Sequence, residues 1–161
     1  MPSAMVDTNG HLSGPREAYT RERSWTPPSP LGEGPFTLHV QFIDNAGNVS
    51  APVNDAIVID TLAPSGGITV APGARAASNG FTDEVAVILN AMATSEPNGG
   101  SVQVRLANAA QDVATAVLRP VEADLGWFLD PVNDGLKTVH YQFVDAAGNA
   151  SGVQTATVTL D

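Results

Sequence analysis

A twelve-residue phrase that occurs twice constrains the fold of this chain more than any other feature. It reads HVQFIDNAGNVS at residues 39–50 and HYQFVDAAGNAS at residues 140–151. The offset of 101 residues (140 minus 39) holds without a gap from 30–60 to 131–161. A period near one hundred residues is the size of a whole domain and too long for a solenoid unit. The sequence therefore predicts two tandem domains.

Each copy of the phrase begins on a predicted β-strand. Apolar side chains alternate with polar ones at Leu38, Val40 and Phe42, and again at Val139, Tyr141 and Phe143. A period of two over six or more residues is typical of an antiparallel strand with one buried face. The strand ends at Asp-x-Ala-Gly-Asn, where Gly and Asn tolerate positive φ and Asp can bond the turn's backbone. Because β-rich runs follow at 56–60 and 155–160, each copy is predicted to be a β-hairpin.

These residues resemble the bacterial immunoglobulin-like repeats of large secreted and cell-surface proteins. In that family a strand ends in a D-x-A-G-N-x-S turn, and a D-T-x-A-P junction opens the next domain. Here the junction is Asp60-Thr61-Leu62-Ala63-Pro64. The resemblance implies an all-β chain of tandem immunoglobulin-like (fibronectin III-like) β-sandwiches, located outside the cell or on its surface.

The second domain, residues 61–161, is predicted to be a complete sandwich. Strands are expected near 66–71, 84–91, 101–107, 115–120, 126–129, 137–144 and 153–160. The segments at 115–120 and 126–129 are expected to form a short pair. Trp127 is the expected core aromatic, with Trp25 as its counterpart in the first domain. Short strands separated by Gly-, Pro- and Asn-rich turns are typical of this architecture.

The first domain, residues 1–60, is predicted to be a partial sandwich that lacks its first strands. It has no counterpart of 61–101, so part of its inner face and one strand edge would be uncovered. Three explanations for the missing strands stay open: the sequence was cut at an arbitrary point, only the ordered part of the domain is represented, or another chain donates a strand. The expected partners are neighbouring immunoglobulin-like domains of the same or another chain.

Composition excludes several classes of function. The net charge is −10, from 7 basic and 17 acidic residues. Such a surface disfavours nucleic acid and anionic membranes, both of which call for a basic face. The sequence has no apolar run long enough for a membrane span, so no membrane insertion is expected. There are no cysteines, which removes a disulfide framework or a cysteine-based zinc site.

The sequence motifs predict no enzyme, no catalytic residue and no cofactor-binding residue. His39 and His140 are repeat equivalents on an outward strand face, and no nucleophile elbow, phosphate loop or dinucleotide turn occurs. The favoured function is a non-enzymatic structural or adhesive module, either a spacer or a filament-forming piece. The alternative is a carbohydrate-binding accessory module of a secreted hydrolase. That alternative needs several exposed aromatics, whereas the cores are expected to take most of the 6% available.

One candidate site is predicted, for calcium between the domains. In an immunoglobulin-like sandwich the chain enters beside the loops that follow the second and sixth strands. Asp60 would therefore meet Glu96, Asp145 and Asn149. Carboxylate and amide oxygens suit Ca²⁺, which accepts six to eight oxygen ligands, and similar extracellular repeats use calcium in this way. In the alternative interpretation Asp145 bonds only its own turn, Asn149 takes the left-handed conformation and Asp60 is solvated.

Overall fold

The computed structural model describes residues 3–7, 16–22, 24, 26, 32–71, 80–96 and 98–161. The chain divides into two compact units, a first unit of residues 1–60 and a second unit of residues 61–161. The strands of the first unit are β1 (Ser3–Asp7), β2 (Glu17–Ala18), β3 (Gly34–Ile43) and β4 (Val53–Ile59). Those of the second are β5 (Ser65–Ala71), β6 (Phe81–Thr82), β7 (Ala86–Ser95), β8 (Gln103–Ala107), β9 (Arg119–Pro120), β10 (Leu125–Phe128), β11 (Gly135–Val144) and β12 (Gln154–Leu160). A 3-10 helix spans Ala110–Thr115.

The second unit is a sandwich of two sheets. One sheet has the order β10-β7-β5 and the other has the order β6-β12-β11-β8-β9. The ladders are antiparallel, except that β6 runs parallel to β12. One cluster of buried side chains joins the two sheets, with Ile68 and Leu89 on the smaller sheet and Val139 and Phe143 on the larger. The all-β sandwich predicted from the sequence is confirmed for this unit.

The alternation along the repeated phrase correctly identifies the core face of β11. Val139, Tyr141 and Phe143 are buried, whereas His140 and Gln142 are half-buried on the opposite face. Successive side chains of a strand point to opposite sides of the sheet, so the period of two places all three apolar residues between the sheets. The hairpin is also present, since β11 pairs with β12 from Gly135↔Leu160 to Tyr141↔Gln154.

The predicted pairing of the short segments at 115–120 and 126–129 is wrong. β9 pairs with β8, and β10 pairs with β7 in the other sheet. Part of the first segment is the end of the 3-10 helix. The strand β6 was not predicted either. These elements are two to four residues long, too short for a hydrophobic period, and their partners are set by tertiary packing.

Trp127 packs against the core but is only partly buried. Its Nε1–H donates to Asn108 Oδ1 at 2.8 Å, and the Arg119 guanidinium lies 5.5 Å from its ring centroid. A buried or half-buried indole N–H needs such an acceptor, and the cation covers the exposed ring face. The predicted counterpart, Trp25, lies outside the described residues.

The first unit repeats the larger sheet of the second. Its strand order β2-β1-β3-β4 corresponds to β9-β8-β11-β12. The pair Leu38↔Asp55 takes the place of Val139↔Ala156. Among the described residues, the first unit shows this one sheet, with no counterpart of β5, β6, β7 or β10. That residues 1–60 are a partial sandwich stays a prediction.

We expect Gly66→Ala to destabilise the second unit and Gly67→Ala to leave it nearly unchanged. A Cβ at Gly66 would lie 2.7 Å from Phe143 Cε2 and 2.5 Å from the Met92 carbonyl oxygen, whereas a Cβ at Gly67 would meet nothing within 4 Å. Overpacking of this kind costs about 1–3 kcal/mol of unfolding free energy. Urea unfolding of both variants measures the difference, and equal stabilities would contradict the close packing of Phe143 on Gly66.

Candidate functional site

The turn after β11 is held by one aspartate. Asp145 Oδ1 accepts the Asn149 backbone N–H at 2.8 Å, and Oδ2 accepts the Asn149 side-chain amide at 2.9 Å. Two backbone bonds close the same loop, from Asp145 N–H to Asn149 O at 3.1 Å and from Gly148 N–H to Asp145 O at 3.3 Å. Gly148 has a φ of 94°, which only glycine adopts readily. The Asp-x-Ala-Gly-Asn motif is thus a self-contained hydrogen-bonded turn.

A serine then fixes the register of the returning chain. The Phe143 N–H donates to Ser151 Oγ at 3.0 Å, and the Ser151 N–H donates to Phe143 O at 2.9 Å. The Gln142 side chain donates to Ser151 O at 2.7 Å. Because Phe143 is a core residue of β11, these bonds connect the turn directly to the packing of the sandwich.

The same turn occurs in the first unit with nearly identical distances. Asp44 Oδ1 accepts the Asn48 N–H at 2.8 Å and Oδ2 accepts its side-chain amide at 2.7 Å, while Ser50 Oγ accepts the Phe42 N–H at 3.0 Å. The two turns differ in exposure, since Asp44 is exposed and Asp145 is buried. The turn motif therefore forms whether or not its aspartate is covered.

Hydrogen bonding dominates the ionisation of both aspartates. For Asp145 burial raises the pKa, but bonds from the Asn149 side chain and from backbone N–H groups outweigh it, so the pKa lies below its ordinary value. For Asp44 the Asn48 side chain and backbone lower the pKa. Both groups are held as carboxylates, because the ionised form accepts these bonds better.

Three carboxylates from separate segments converge where the chain enters the second unit. Asp60 precedes Thr61, Glu96 follows β7, and Asp145 begins the turn after β11. One oxygen from each lies within 4.8 Å of the others, with Asp145 buried and the other two half-buried. Among the described residues, this is the one group of three or more ligand-type side chains that meets in this way. Three of the four residues expected to hold calcium are thus brought together.

Asn149, the fourth expected ligand, is bound to Asp145 by its backbone and its side chain. The left-handed residue of the turn is Gly148 and not Asn149, which corrects the conformation expected for Asn149. Carboxylate oxygens carry further lone pairs beyond those used in the turn, so Asp145 can accept these bonds and still coordinate a cation. The chemistry of the group is that of hard oxygen donors.

The described aromatic residues are divided between the core and the surface. Tyr141 and Phe143 are in the core, but four of the eight aromatics that the structure describes are exposed: Tyr19, Phe42, Phe81 and Phe128. Since Trp25 lies outside the described residues, the expectation that the cores take most of the aromatics stays a prediction. In the second unit, Phe81 and Phe128 lie on different sheets, so they do not form a shared strand face for stacking on a sugar.

Fold and turn together define an immunoglobulin-like β-sandwich module. More particularly, the chain belongs to the bacterial Ig-like domain family, whose model matches residues 4–61 and again 54–161. Asp60 lies in the stretch shared by the two matches, and Glu96 and Asp145 lie in the second match. The carboxylate cluster is therefore contained within a single matched segment.

No curated protein matches the chain. Among solved structures, the chain is similar to one described as the D00-D0 domain of Intimin, with 13% identity and a TM-score of 0.35. That alignment covers 98% of this chain and 78% of the other. Within the described residues, no helix is both long enough and apolar enough to cross a membrane.

We expect the second unit to lose stability as the pH falls below about 4, the region in which aspartate takes up protons. The pKa of Asp145 is lower in the folded state, so its contribution is present above the unfolded pKa and is lost as the pH falls through the folded one. Asp145→Asn should flatten this pH dependence. Urea unfolding with chelator present, followed at the Trp127 indole signal by NMR, measures it. Identical pH profiles for both proteins would contradict the assignment.

Proposed function

We propose that the chain is a non-enzymatic structural or adhesive module, a spacer or filament-forming piece of a bacterial extracellular or cell-surface protein. One observation carries the proposal: the backbone enters the second unit at one end and leaves it at the other. Membership of the bacterial Ig-like family supports it, as does the acidic surface, which suits a protein that stays dispersed in water.

The course of the final hairpin supports this end-to-end path. Asp60 has a carboxylate oxygen within 4.8 Å of one from Asp145, so the chain enters beside the turn between β11 and β12. β12 then runs away from that turn for seven residues, which is about 20 Å at roughly 3.4 Å per residue. Its last neighbour, Asp161, donates its N–H to Thr82 O at 3.0 Å. A pull on the two ends would therefore act along the strands.

A pull on the two ends of the second unit would act on the hydrogen bonds between the parallel strands β6 and β12. Thr159 N–H donates to Gly80 O at 2.8 Å, and Asp161 N–H donates to Thr82 O at 3.0 Å. β6 belongs to the early part of the unit and β12 to its end. Because the two strands are parallel, drawing the ends apart shears both hydrogen bonds at once. This arrangement would raise the force that the module withstands before it unfolds.

We expect the second unit to unfold in a single step under force, releasing at most about 330–360 Å of chain for residues 61–161. Thr159→Pro removes the N–H donor to Gly80 and should lower the unfolding force. Thr157→Pro is the matched control, because its N–H points to the same edge of β12 at a position that β6 does not pair. Single-molecule pulling of the full chain measures the unfolding force of the wild type and of both variants.

Two outcomes of the pulling experiment would contradict the proposal. Unfolding in several small steps at forces near the noise would show that the unit does not bear tension. Equal forces for Thr159→Pro and Thr157→Pro would remove the role given to β6. Binding of a polysaccharide that is lost in Phe128→Ala would favour the alternative, a carbohydrate-binding accessory module, since Phe128 is 72% exposed.

We also propose that Asp60, Glu96 and Asp145 bind Ca²⁺, with Asn149 as a further ligand. The convergence of three carboxylates from three segments supports this, because like charges at such separations repel unless a cation or protons neutralise them. The low pKa of Asp145 supports the cation, since that carboxyl stays ionised. Calcium accepts the irregular oxygen geometry that loop residues provide.

We expect calcium to raise the melting temperature of the second unit. A free calcium concentration one hundred times the Kd would add about 2.7 kcal/mol to its unfolding free energy. Asp60→Asn and Glu96→Gln should abolish the calcium effect, because each removes a charge while leaving the hydrogen bonds of the Asp145 turn in place. In chelator the same variants should be at least as stable as the wild type, because a repulsive charge is gone. Calorimetry with calcium and with chelator measures both.

The matched control for calcium is Asp44→Asn. It alters the same turn in the first unit at an exposed aspartate, so the calcium effect on the second unit should persist. A wild-type protein that shows no calcium-dependent shift, or a shift of equal size in Glu96→Gln, would rule the site out.

A further inference from the structure

The apolar face of the first-unit hairpin is far more exposed than its counterpart in the second unit. Phe42 is 41% exposed and Ile57 is 56% exposed. Their equivalents 101 residues later, Phe143 and Val158, are 0% and 4% exposed. Because the residues occupy the same positions on the same hairpin, the difference lies in what covers the face and not in the hairpin itself.

Two residues that contact each other in the second unit are both different in the first unit, and this difference indicates that the apolar face of the first-unit hairpin is suited to being covered. In the second unit Tyr141 OH accepts the Ile68 N–H at 3.3 Å and donates to Gln154 Oε1 at 3.2 Å. The first unit has Val40 and Val53 at the places of Tyr141 and Gln154. A buried polar side chain needs its partner, so replacing both together by valine leaves no unpaired polar side chain at these two positions of the hairpin when the face is covered. A face that stays in water has no such requirement.

The second unit shows what kind of cover fits. There β5 packs against β11 and β12, and its neighbour β7 contributes Leu89 and Ala91 to the same core. At Gly66 of β5, any Cβ would meet the Phe143 ring. A strand with glycine at this point allows the aromatic ring to lie against bare backbone. Phe42 is the equivalent aromatic of the first unit.

We propose that the first unit binds an antiparallel strand pair of the β5–β7 type, donated by another immunoglobulin-like segment. The pair covers one surface, here named the open face, which consists of Leu38, Val40, Phe42, Val53 and Ile57. The strand that crosses Phe42 has a glycine at the crossing. This interaction is independent of the spacer role and of the calcium site, because the open face includes neither a strand of the second unit nor a residue of the carboxylate cluster.

Asp55 adds a further requirement for the donated strands. It takes the place of Ala156, which is in the core of the second unit, and it is exposed with Oδ1 accepting the Ala56 N–H at 2.9 Å. Covering a carboxylate without a partner is costly. The natural donor therefore carries a cation or a hydrogen-bond donor opposite Asp55, and a strand pair without one binds better once Asp55 is replaced by alanine.

The test supplies the strand pair by duplication within the full chain. Ser3 pairs with Ile43 as Gln103 pairs with Val144, so a second copy of residues 61–102 joined to Ser3 repeats the connection between β7 and β8. The fusion is made in the wild-type chain and in Asp55→Ala. Amide hydrogen exchange of β3 and β4 is the readout, and we expect it to slow on the order of tenfold in Asp55→Ala, with a smaller effect in the wild type.

The matched controls are two glycine changes confined to the added copy. Gly66→Val should abolish the protection, because its side chain would strike Phe42, as it would strike Phe143, and also the Met92 carbonyl oxygen of its own strand pair. Gly67→Val should preserve it, because the equivalent position is open. Absence of protection in both backgrounds, or equal protection with both valines, would overturn the proposal.

A second copy of the chain is the competing occupant of the open face. Light scattering of the unfused chain distinguishes it. We expect a monomer at micromolar concentration. A concentration-dependent dimer that Phe42→Asp abolishes, in which amide exchange of β5 and β7 is unchanged, would show that the open faces of two chains cover each other, and it would overturn the assignment of a donated strand pair.

Discussion

The hydrogen-bonded turn between β11 and β12 is the constraint on which the rest of the second unit depends. Asp145 closes the loop through Asn149, and Ser151 then pairs with the backbone of Phe143. A slip of one residue would turn every side chain of β12 to the opposite face. By fixing the register, the turn places Ala156 and Val158 on the same side as Val139 and Phe143. The core and the carboxylate cluster both follow, because Asp145 is the first residue of the turn.

The two copies of the phrase distinguish the features that nearby sequence determines from those that depend on residues distant in sequence. Turn and hairpin form with the same hydrogen bonds in both units, so they are encoded within residues 34–59 and 135–160 respectively. Burial is different: Phe143 is inaccessible and Phe42 is not, although each lies two residues before the same turn. The hydrophobic gain of the core requires a second sheet, and that sheet comes from residues distant in sequence.

This difference also explains how much of the molecule could be predicted. The repeat, the period of two and the turn motif predicted the hairpins, the sandwich and the core residues of β11. The junction and the expected fold predicted that Asp60, Glu96 and Asp145 would meet. The pairing of β9 and β10 in different sheets and the parallel strand β6 were missed, because strands of two to four residues are too short to show a period. The packing of Phe143 on Gly66 is likewise a tertiary contact, and no local pattern marks that glycine.

If donated strands cover the open face as proposed, Asp55 makes that binding selective. Among the described residues, β4 pairs with β3 alone, and an apolar sheet that is exposed at its edge and face can associate with many extended chains. A carboxylate on the open face at Asp55, within a chain of net charge −10, penalises covering of that face unless the incoming strand offers a cation or a hydrogen-bond donor. Replacing Asp55 with alanine, as at Ala156, would remove that penalty for every partner alike. The charge therefore contributes selectivity, while Phe42 and Ile57 contribute the apolar area that makes binding favourable.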